Sequence, residues 1–344
     1  MRSISVEKIT ATVKDMCIRA NLFLADDVKG ALYGAYDSEK SELGKKILGQ
    51  LKENLDIAGN EQIPICQDTG MAVVFVKLGQ EVHIEGGSFN EAINEGVRQG
   101  YTEGYLRKSV VADPLVRVNT KDNTPAIIHV EIVDGDGLEI TVAPKGFGSE
   151  NMSRVFMLKP ADGVEGVKNA VLTAVKDAGP NACPPVVVGV GIGGDFEKVA
   201  ELAKKALTRH FGTGSKAGLE AAKTGFSFSC KEPDGELEKS VGEVVNNGNS
   251  IGGSVSESKA DCGRRFIPGR TAAELISEGN ANYVANLEAE LFEEINRLNI
   301  GAGGMGGTST CLGVNIETYP THIAGLPLAV NMCCHVNRHV TEIL

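Results

Sequence analysis

The 344-residue chain has no tryptophan, and aromatic residues make up only 5% of it, whereas 42 glycines point to many tight turns and close backbone approaches. A basic surplus is also missing. Asp and Glu outnumber Lys and Arg by 45 to 34, a formal charge of -11, so no basic excess is available to meet phosphates or acidic headgroups. That balance excludes nucleic acid and anionic membranes as partners. No stretch approaches the roughly 20 apolar residues of a membrane span. The opening Met1-Arg-Ser-Ile-Ser-Val-Glu7 starts an amphipathic helix and lacks an apolar signal core, so the expectation is a cytoplasmic protein. The eight cysteines include no C-x2-C pair, which excludes the usual structural zinc and ferredoxin patterns, and that compartment argues against a disulfide framework.

What is present is ordinary globular material, 42% hydrophobic and long enough for two or three packed units. Residues 4–58 read as helices, with Val6, Ile9, Val13, Met16 and Cys17 on one stripe and Leu43, Ile47 and Leu51 on another. Cys17 on that stripe is a core residue. A strand is predicted over 72–78, a helix over Phe89–Tyr105 capped by Ser88, and strands over Ile127–Val133 and Leu138–Val142. Further on come a helix over Val164–Ala178, a buried strand over Val186–Ile192 and a helix from about Phe196 to Arg209. The glycines Gly189, Gly191, Gly193 and Gly194 mimic a dinucleotide fingerprint. Their spacing is off and no acid follows at the required distance, so close helix–strand packing explains them better.

From Gly212 to about Asn282 the composition shifts to Gly, Ser, Lys, Glu and Asn, which reads as an inserted surface lobe carrying Cys230 and Cys262. A helical stripe (Leu287, Leu291, Ile295) then returns, followed by strands over Leu312–Ile316 and Leu326–Met332. The predicted fold class is α+β. Its parts are an N-terminal helical region (1–60), a core for a cluster and substrate (61–211), the inserted lobe (212–282) and a completion of the core (283–344).

Chemistry concentrates where single cysteines stand in turn-forming sequence. Ile63-Pro-Ile-Cys-Gln-Asp-Thr-Gly70 sets a thiol, an amide and a carboxylate side by side, as a metal or cluster ligand beside a proton-transfer group requires. Asn181-Ala-Cys-Pro-Pro185 and Gly306-Gly-Thr-Ser-Thr-Cys311 repeat the theme. Arg107 is a candidate fork for a carboxylate, against the plainer reading of a solvated surface charge. Lys145, Ser149 and Asn151 lie on a Gly-rich turn suited to gripping an anion, unless that turn merely joins two elements. Cys333-Cys334-His335 invites a metal reading too. Adjacent cysteines point to opposite faces of a strand, however, so the pair is read as structural.

Three isolated cysteines beside glycine or proline fit a 4Fe-4S cluster held by three thiolates, which leaves one iron open as a Lewis acid. That chemistry suits loss of water from a 2-hydroxy acid. An electron carrier and a metal-free binding protein with buried thiols are the competing classes.

Several motifs, in order, resemble the iron–sulfur (class I) fumarate hydratase and L-tartrate dehydratase α-subunit family. They are Ile65-Cys-Gln-Asp-Thr-Gly70, Leu106-Arg-Lys-Ser109, Asn119-Thr-Lys-Asp-Asn-Thr-Pro-Ala126, Lys145-Gly-Phe-Gly-Ser-Glu-Asn151, Ala182-Cys-Pro-Pro185 with Gly191-Ile-Gly-Gly194, Gly306-Gly-Thr-Ser-Thr-Cys311, and Thr321-His-Ile-Ala-Gly-Leu-Pro327. The resemblance implies that Cys66, Cys183 and Cys311 hold the cluster, that Asp68 takes part in proton transfer, and that Gln67 and Arg107 contact a dicarboxylate. Cys334-His335 falls at a position not expected to be a ligand. The family further implies an oxygen-sensitive hydro-lyase completed by a separate β subunit, as an α2β2 assembly. Reversible hydration of fumarate to L-malate is the leading reaction, with L-tartrate dehydration the alternative and a mesaconate-like substrate a third possibility. The segment 212–282 departs from the family pattern.

Overall fold

The structure, a computed structural model, describes residues 2–211 and 272–344, with the side chains of 272–282 left out. Cys230, Cys262 and most of the expected inserted lobe lie outside the described residues. The fold is α+β, as the sequence predicts: two four-stranded mixed sheets, each packed with helices.

The first sheet has the order β10-β5-β2-β4, from Val340–Ile343, Leu138–Lys145, Met71–Gly79 and Ile127–Val133. Helices α1 (Val6–Leu22) and α4 (Phe89–Glu103) cover one face of it. Ile9, Val13, Met16 and Cys17 of α1 meet Ile93, Val97 and Tyr101 of α4 over Val74, Val76, Ile140 and Val142. Each large aliphatic side chain buried there contributes ~1.5–3 kcal/mol. The two helices approach closely because α4 offers glycines at the crossing. A methyl group on Gly96 would stand 2.7 Å from Val13 Cβ, and one on Gly100 2.8 Å from Cys17 Cβ. Ser5 and Ser88 cap the two helices by accepting from the Lys8 and Glu91 amides.

The second sheet, β6-β9-β7-β8, comprises Arg154–Leu158, Leu326–Cys333, Val186–Gly194 and Cys311–Thr321. It is buried on both faces. Strict alternation sends Val186, Val188, Val190, Leu328, Val330 and Met332 to one core with α6 (Gly163–Ala178) and the end of α8 (Ala272–Asn296). Val187, Leu312 and Cys333 face the opposite core, with Val28, Leu32 and Leu48 from α2 (Asp26–Ser38) and α3 (Glu42–Glu61). Helix α7 (Phe196–Ala206) lies against this sheet at the glycines that mimic a nucleotide fingerprint. A methyl group on Gly189 or Gly191 would collide with the Ala203 or Val199 carbonyl, so these residues serve helix–strand packing.

Four short strands escaped the periodicity argument: Arg2–Ser5 and its partner Val82–Glu85, Arg154–Leu158, and Val340–Ile343. The helix expected to resume near Leu287 already runs from Ala272.

Candidate functional site

The site is built where the first turn of one sheet meets the ends of strands in the other. Ile65–Gly70 leads into β2, and four separate bonds fix it. The Asn54 amide donates to the Ile65 carbonyl at 2.8 Å, and the Ile65 N–H donates to the Asn21 carbonyl at 2.9 Å. Tyr101, fully buried, donates its hydroxyl to the Thr69 carbonyl at 2.8 Å, and Asn123 Nδ2 donates to the Gly70 carbonyl at 3.1 Å. Gly70 itself has φ 75°, and a methyl group there would sit 2.7 Å from the Lys145 backbone, so glycine is required.

This scaffold presents Gln67 exposed, Cys66 and Asp68 half-buried. Asp68 Oδ1 accepts from the Gly70 N–H at 3.1 Å and Oδ2 from the Phe147 N–H at 2.9 Å, so its carboxylate is held between two turns. Asn123 Oδ1 also accepts from the Ser109 N–H at 2.7 Å, and the Thr69 hydroxyl donates to the Arg107 carbonyl at 3.1 Å. These bonds fix the backbone of the Arg107 segment beside the turn and leave Arg107 exposed.

Cys183 ends a short 3-10 turn (Gly179–Ala182) with φ 55°, exposed at the entrance to β7. Burial raises its thiol pKa, and the nearby sulfurs of Cys334 and Cys66 raise it further. Cys334 follows the last residue of β9, where the pleat has ended and strand alternation no longer dictates its direction. It packs with Cys66 against the core containing α2 and α3. His335 Nδ1 lies 3.4 Å from the Cys183 carbonyl and joins the two segments. The structure therefore brings together Cys66, Cys183 and Cys334.

It does not bring Cys311 to them. Cys311 begins β8 on the opposite face of the sheet, in the core with Ala182, Val186 and Leu291, and is 2% exposed. Its Sγ donates to the Gly313 carbonyl at 3.1 Å, and burial pushes its thiol up to about 12. A thiol so disfavoured as a thiolate, and facing away from the others, makes a poor ligand to any shared group. The expectation that Cys311 joins Cys66 and Cys183 is not met by its placement, and Cys334 stands beside Cys66 instead.

Lys145 also departs from expectation. It is 5% exposed, and its ammonium donates to the Gly146 carbonyl and Ser149 Oγ and pairs with Glu150 at 3.1 Å. Lys204 pairs with the same carboxylate. Lys145 is thus spent inside the fold, whereas Asn151 stays exposed at the end of the Phe147–Glu150 turn.

Arg338 was not singled out by sequence reasoning. Its guanidinium donates to the Asp68 carbonyl and, at 3.3 Å, to the Pro144 carbonyl. The one available signal was a polar triplet, Asn337-Arg-His339, a few residues after an apolar strand. All three are buried.

A sequence profile of the fumarate hydratase (Fumerase) family matches residues 10–256 and 248–342. The chain belongs to the fumarate hydratase family. A Methanocaldococcus jannaschii protein, provisionally named L(+)-tartrate dehydratase subunit alpha, is 36% identical over 341 residues and covers 97% of each chain. The L(+)-tartrate dehydratase subunit alpha of Escherichia coli K12 is 28% identical, over 98% of this chain and 91% of its own, and that of Shigella sonnei matches equally. Within this fumarate hydratase-family chain, no described helix is long and apolar enough to cross a membrane.

The cysteine set can be tested against the iron–sulfur cluster that the family implies. Among the described residues, no three His, Cys, Asp or Glu side chains converge closely enough to chelate one metal ion. A cubane instead binds each thiolate at a different iron, so its sulfurs stand apart around a common space. Three soft donors from three loops, one exposed and two half-buried, fit such a group.

Proposed function

We propose that the chain is the α subunit of an oxygen-sensitive 4Fe-4S hydro-lyase acting on a small dicarboxylate, with reversible hydration of fumarate to L-malate as the first reading. Cys66, Cys183 and Cys334 would hold the cluster. The observation that carries this is the meeting of three loops: Cys66 and Cys334 pack on one core, and His335 Nδ1 lies 3.4 Å from the Cys183 carbonyl. When bound, such a cluster supplies an iron without a protein thiolate, a Lewis acid for a hydroxyl and a carboxylate.

The chain's own groups do the rest. Asp68, fixed by the Gly70 and Phe147 amides, holds or passes the proton at the neighbouring carbon. Arg107 offers a planar fork to a substrate carboxylate, and Gln67 and Asn151 offer neutral polar contacts from exposed positions. Lys145 supports the Gly146–Ser149 turn from behind.

A separate β subunit completes the assembly in this reading, as a symmetric pair of αβ units. The relatives are named as α subunits, and the loop carrying Arg107 displays Tyr105 at 91%, Leu115 at 90% and Val116 at 74% exposure. Asp113 Oδ1 holds this loop through the Leu115 and Val116 amides, so the apolar side chains stand on an organised support that a partner would cover.

A second reading, L-tartrate dehydration, is favoured by the names of the relatives. Anaerobic reconstitution of the αβ complex with iron and sulfide, then turnover on L-malate and L-tartrate, decides between them. Faster turnover of malate supports the first reading and a preference for tartrate the second. Failure to take up iron overturns both.

A further inference from the structure

Arg338 is a buried cation without an anion. It is 4% exposed, two of its nitrogens donate to main-chain carbonyls, and Nη1 is buried with no partner. No described carboxylate lies within ion-pair range of it, since the Asp68 side chain is taken up by the Gly70 and Phe147 amides. Its neighbours do not balance the charge either. The small cavity it lines with Asn337 and Cys333 is also lined by Lys145 and Lys204, and those two lysines share the single carboxylate of Glu150. Three cations therefore face one anion in a region nearly closed to solvent. Burying a guanidinium costs far more than one bond to a carbonyl returns, so a second negative group is needed nearby.

The position of Arg338 says which group that is. Its carbonyl partner Asp68 is two residues from Cys66, it follows Cys334 by four residues, and its other partner Pro144 precedes the turn whose Phe147 amide holds Asp68. One side chain thus ties together three segments of the site. Cys333, which lines the same small cavity as Arg338, is the immediate neighbour of Cys334 in the chain.

We propose that Arg338 is the positioning residue and buried counter-charge of the thiolate site, clamping the Cys66–Asp68 turn to the Cys334 segment and stabilising the negative charge of the cluster bound there. This rests on the cluster reading above and adds to it a group that touches neither iron nor substrate. A charge removed from beside a cluster destabilises its more reduced, more negative state, so the midpoint potential must fall. A purely structural clamp would leave the potential unchanged in protein that still holds iron.

The experiment uses the full chain, reconstituted anaerobically, as wild type, Arg338→Lys, Arg338→Gln and Arg338→Met. Iron content, visible absorbance, midpoint potential and thermal midpoint are measured. Wild type and Arg338→Lys are expected to hold iron at similar potentials. Arg338→Gln, which keeps a donor and loses the charge, is expected to show a more negative potential and at least threefold faster iron loss to a chelator. A wild-type potential in iron-loaded Arg338→Gln overturns the proposal. Arg338→Met separates clamp from charge, and should it not fold, the Lys and Gln variants still carry the comparison. Wild type that takes up no iron overturns the cluster reading itself, an outcome visible before any variant is compared.

Discussion

Two loops of this molecule look alike in sequence and differ in everything that matters for chemistry. Ile65-Cys-Gln-Asp-Thr-Gly70 and Gly306-Gly-Thr-Ser-Thr-Cys311 each combine glycine, threonine and one cysteine at the entrance to a strand. In the first, the cysteine precedes the strand and stays half-buried beside an acid and an exposed amide. In the second, the cysteine is the first residue of the strand, so the pleat commits it to a core. The loop before Cys311 is furthermore closed upon Glu39, whose carboxylate accepts from the Ser41, Thr308 and Ser309 amides and the Thr308 hydroxyl at 2.9–3.1 Å. One loop leaves a thiol and an amide facing outward, whereas the other turns its polar groups onto a buried carboxylate. A cysteine's neighbours in sequence say less about its role than whether it stands before, within or after a strand.

The largest expected effect breaks that comparison outright. Cys183→Ser and Cys334→Ser are each expected to abolish iron uptake on anaerobic reconstitution, measured as iron per chain. Cys311→Ser is expected to keep full iron content, because a serine hydroxyl there still reaches the Gly313 carbonyl. Iron loss in Cys311→Ser alone would return that residue to the ligand set. Next in size, Asp68→Asn in iron-loaded complex should slow turnover ~10²–10⁴-fold, the usual reach of a general acid or base. The asparagine oxygen keeps one of the two amide bonds and its NH2 gives up the other, and unchanged cluster absorbance is expected because the remaining bonds to the turn stay in place. A normal rate would remove Asp68 from proton transfer.

The second loop has its own test. Burial pushes the Glu39 carboxyl up, but the Ser41, Thr308 and Ser309 amides and the Thr308 hydroxyl outweigh it and bring the group down to about 2. A pKa depressed in the folded state contributes stability that is full above the unfolded carboxylate value and is lost as pH falls towards 2. From an ordinary value of 4.5 to about 2, the linkage amounts to ~3 kcal/mol at neutral pH. Urea unfolding of Glu39→Gln should show most of that deficit at pH 7 and little of it by about pH 2. A deficit independent of pH would mean that shape, and not charge, closes the loop.

Much of this was legible in the sequence, for reasons that can be named. Helices α1 and α4 and the central strands announced themselves because their apolar stripes are long and regular, and Cys17 was rightly read as core. The glycines 189 and 191 were rightly given to packing. The turn at Cys66, with Asp68 and Arg107 beside it, was found because turn residues mark it. Cys334 was set aside through a correct rule applied one residue too far. Cys333 obeys strand alternation and faces a core, whereas Cys334 lies past the strand's end. Lys145 proved to be buried, and Arg338 went unnoticed, for a related reason. Whether a cation faces solvent or carbonyls depends on contacts made across 194 positions of sequence, as between Arg338 and Pro144, and no local pattern records that.

The smallest effect sharpens the contrast between the loops most finely. Each contains a threonine whose hydroxyl makes one bond: Thr69 donates to the neutral Arg107 carbonyl at 3.1 Å, and Thr308 to the ionised Glu39 carboxylate at 3.0 Å. Valine matches threonine in volume, so Thr69→Val and Thr308→Val remove little besides those bonds. A bond to a neutral acceptor is worth ~0.5–1.5 kcal/mol and one to a charged group ~1.5–3 kcal/mol. Thr308→Val is therefore expected to lose more stability in urea at pH 7, and its deficit should shrink as the pH is lowered from 5 towards 2, where Glu39 gains a proton. The Thr69→Val deficit should stay level across the same range, because a main-chain carbonyl has nothing to titrate. Equal, pH-independent losses in both would show that the two loops are held by the same kind of bond, and that the charge on Glu39 is not what closes the second.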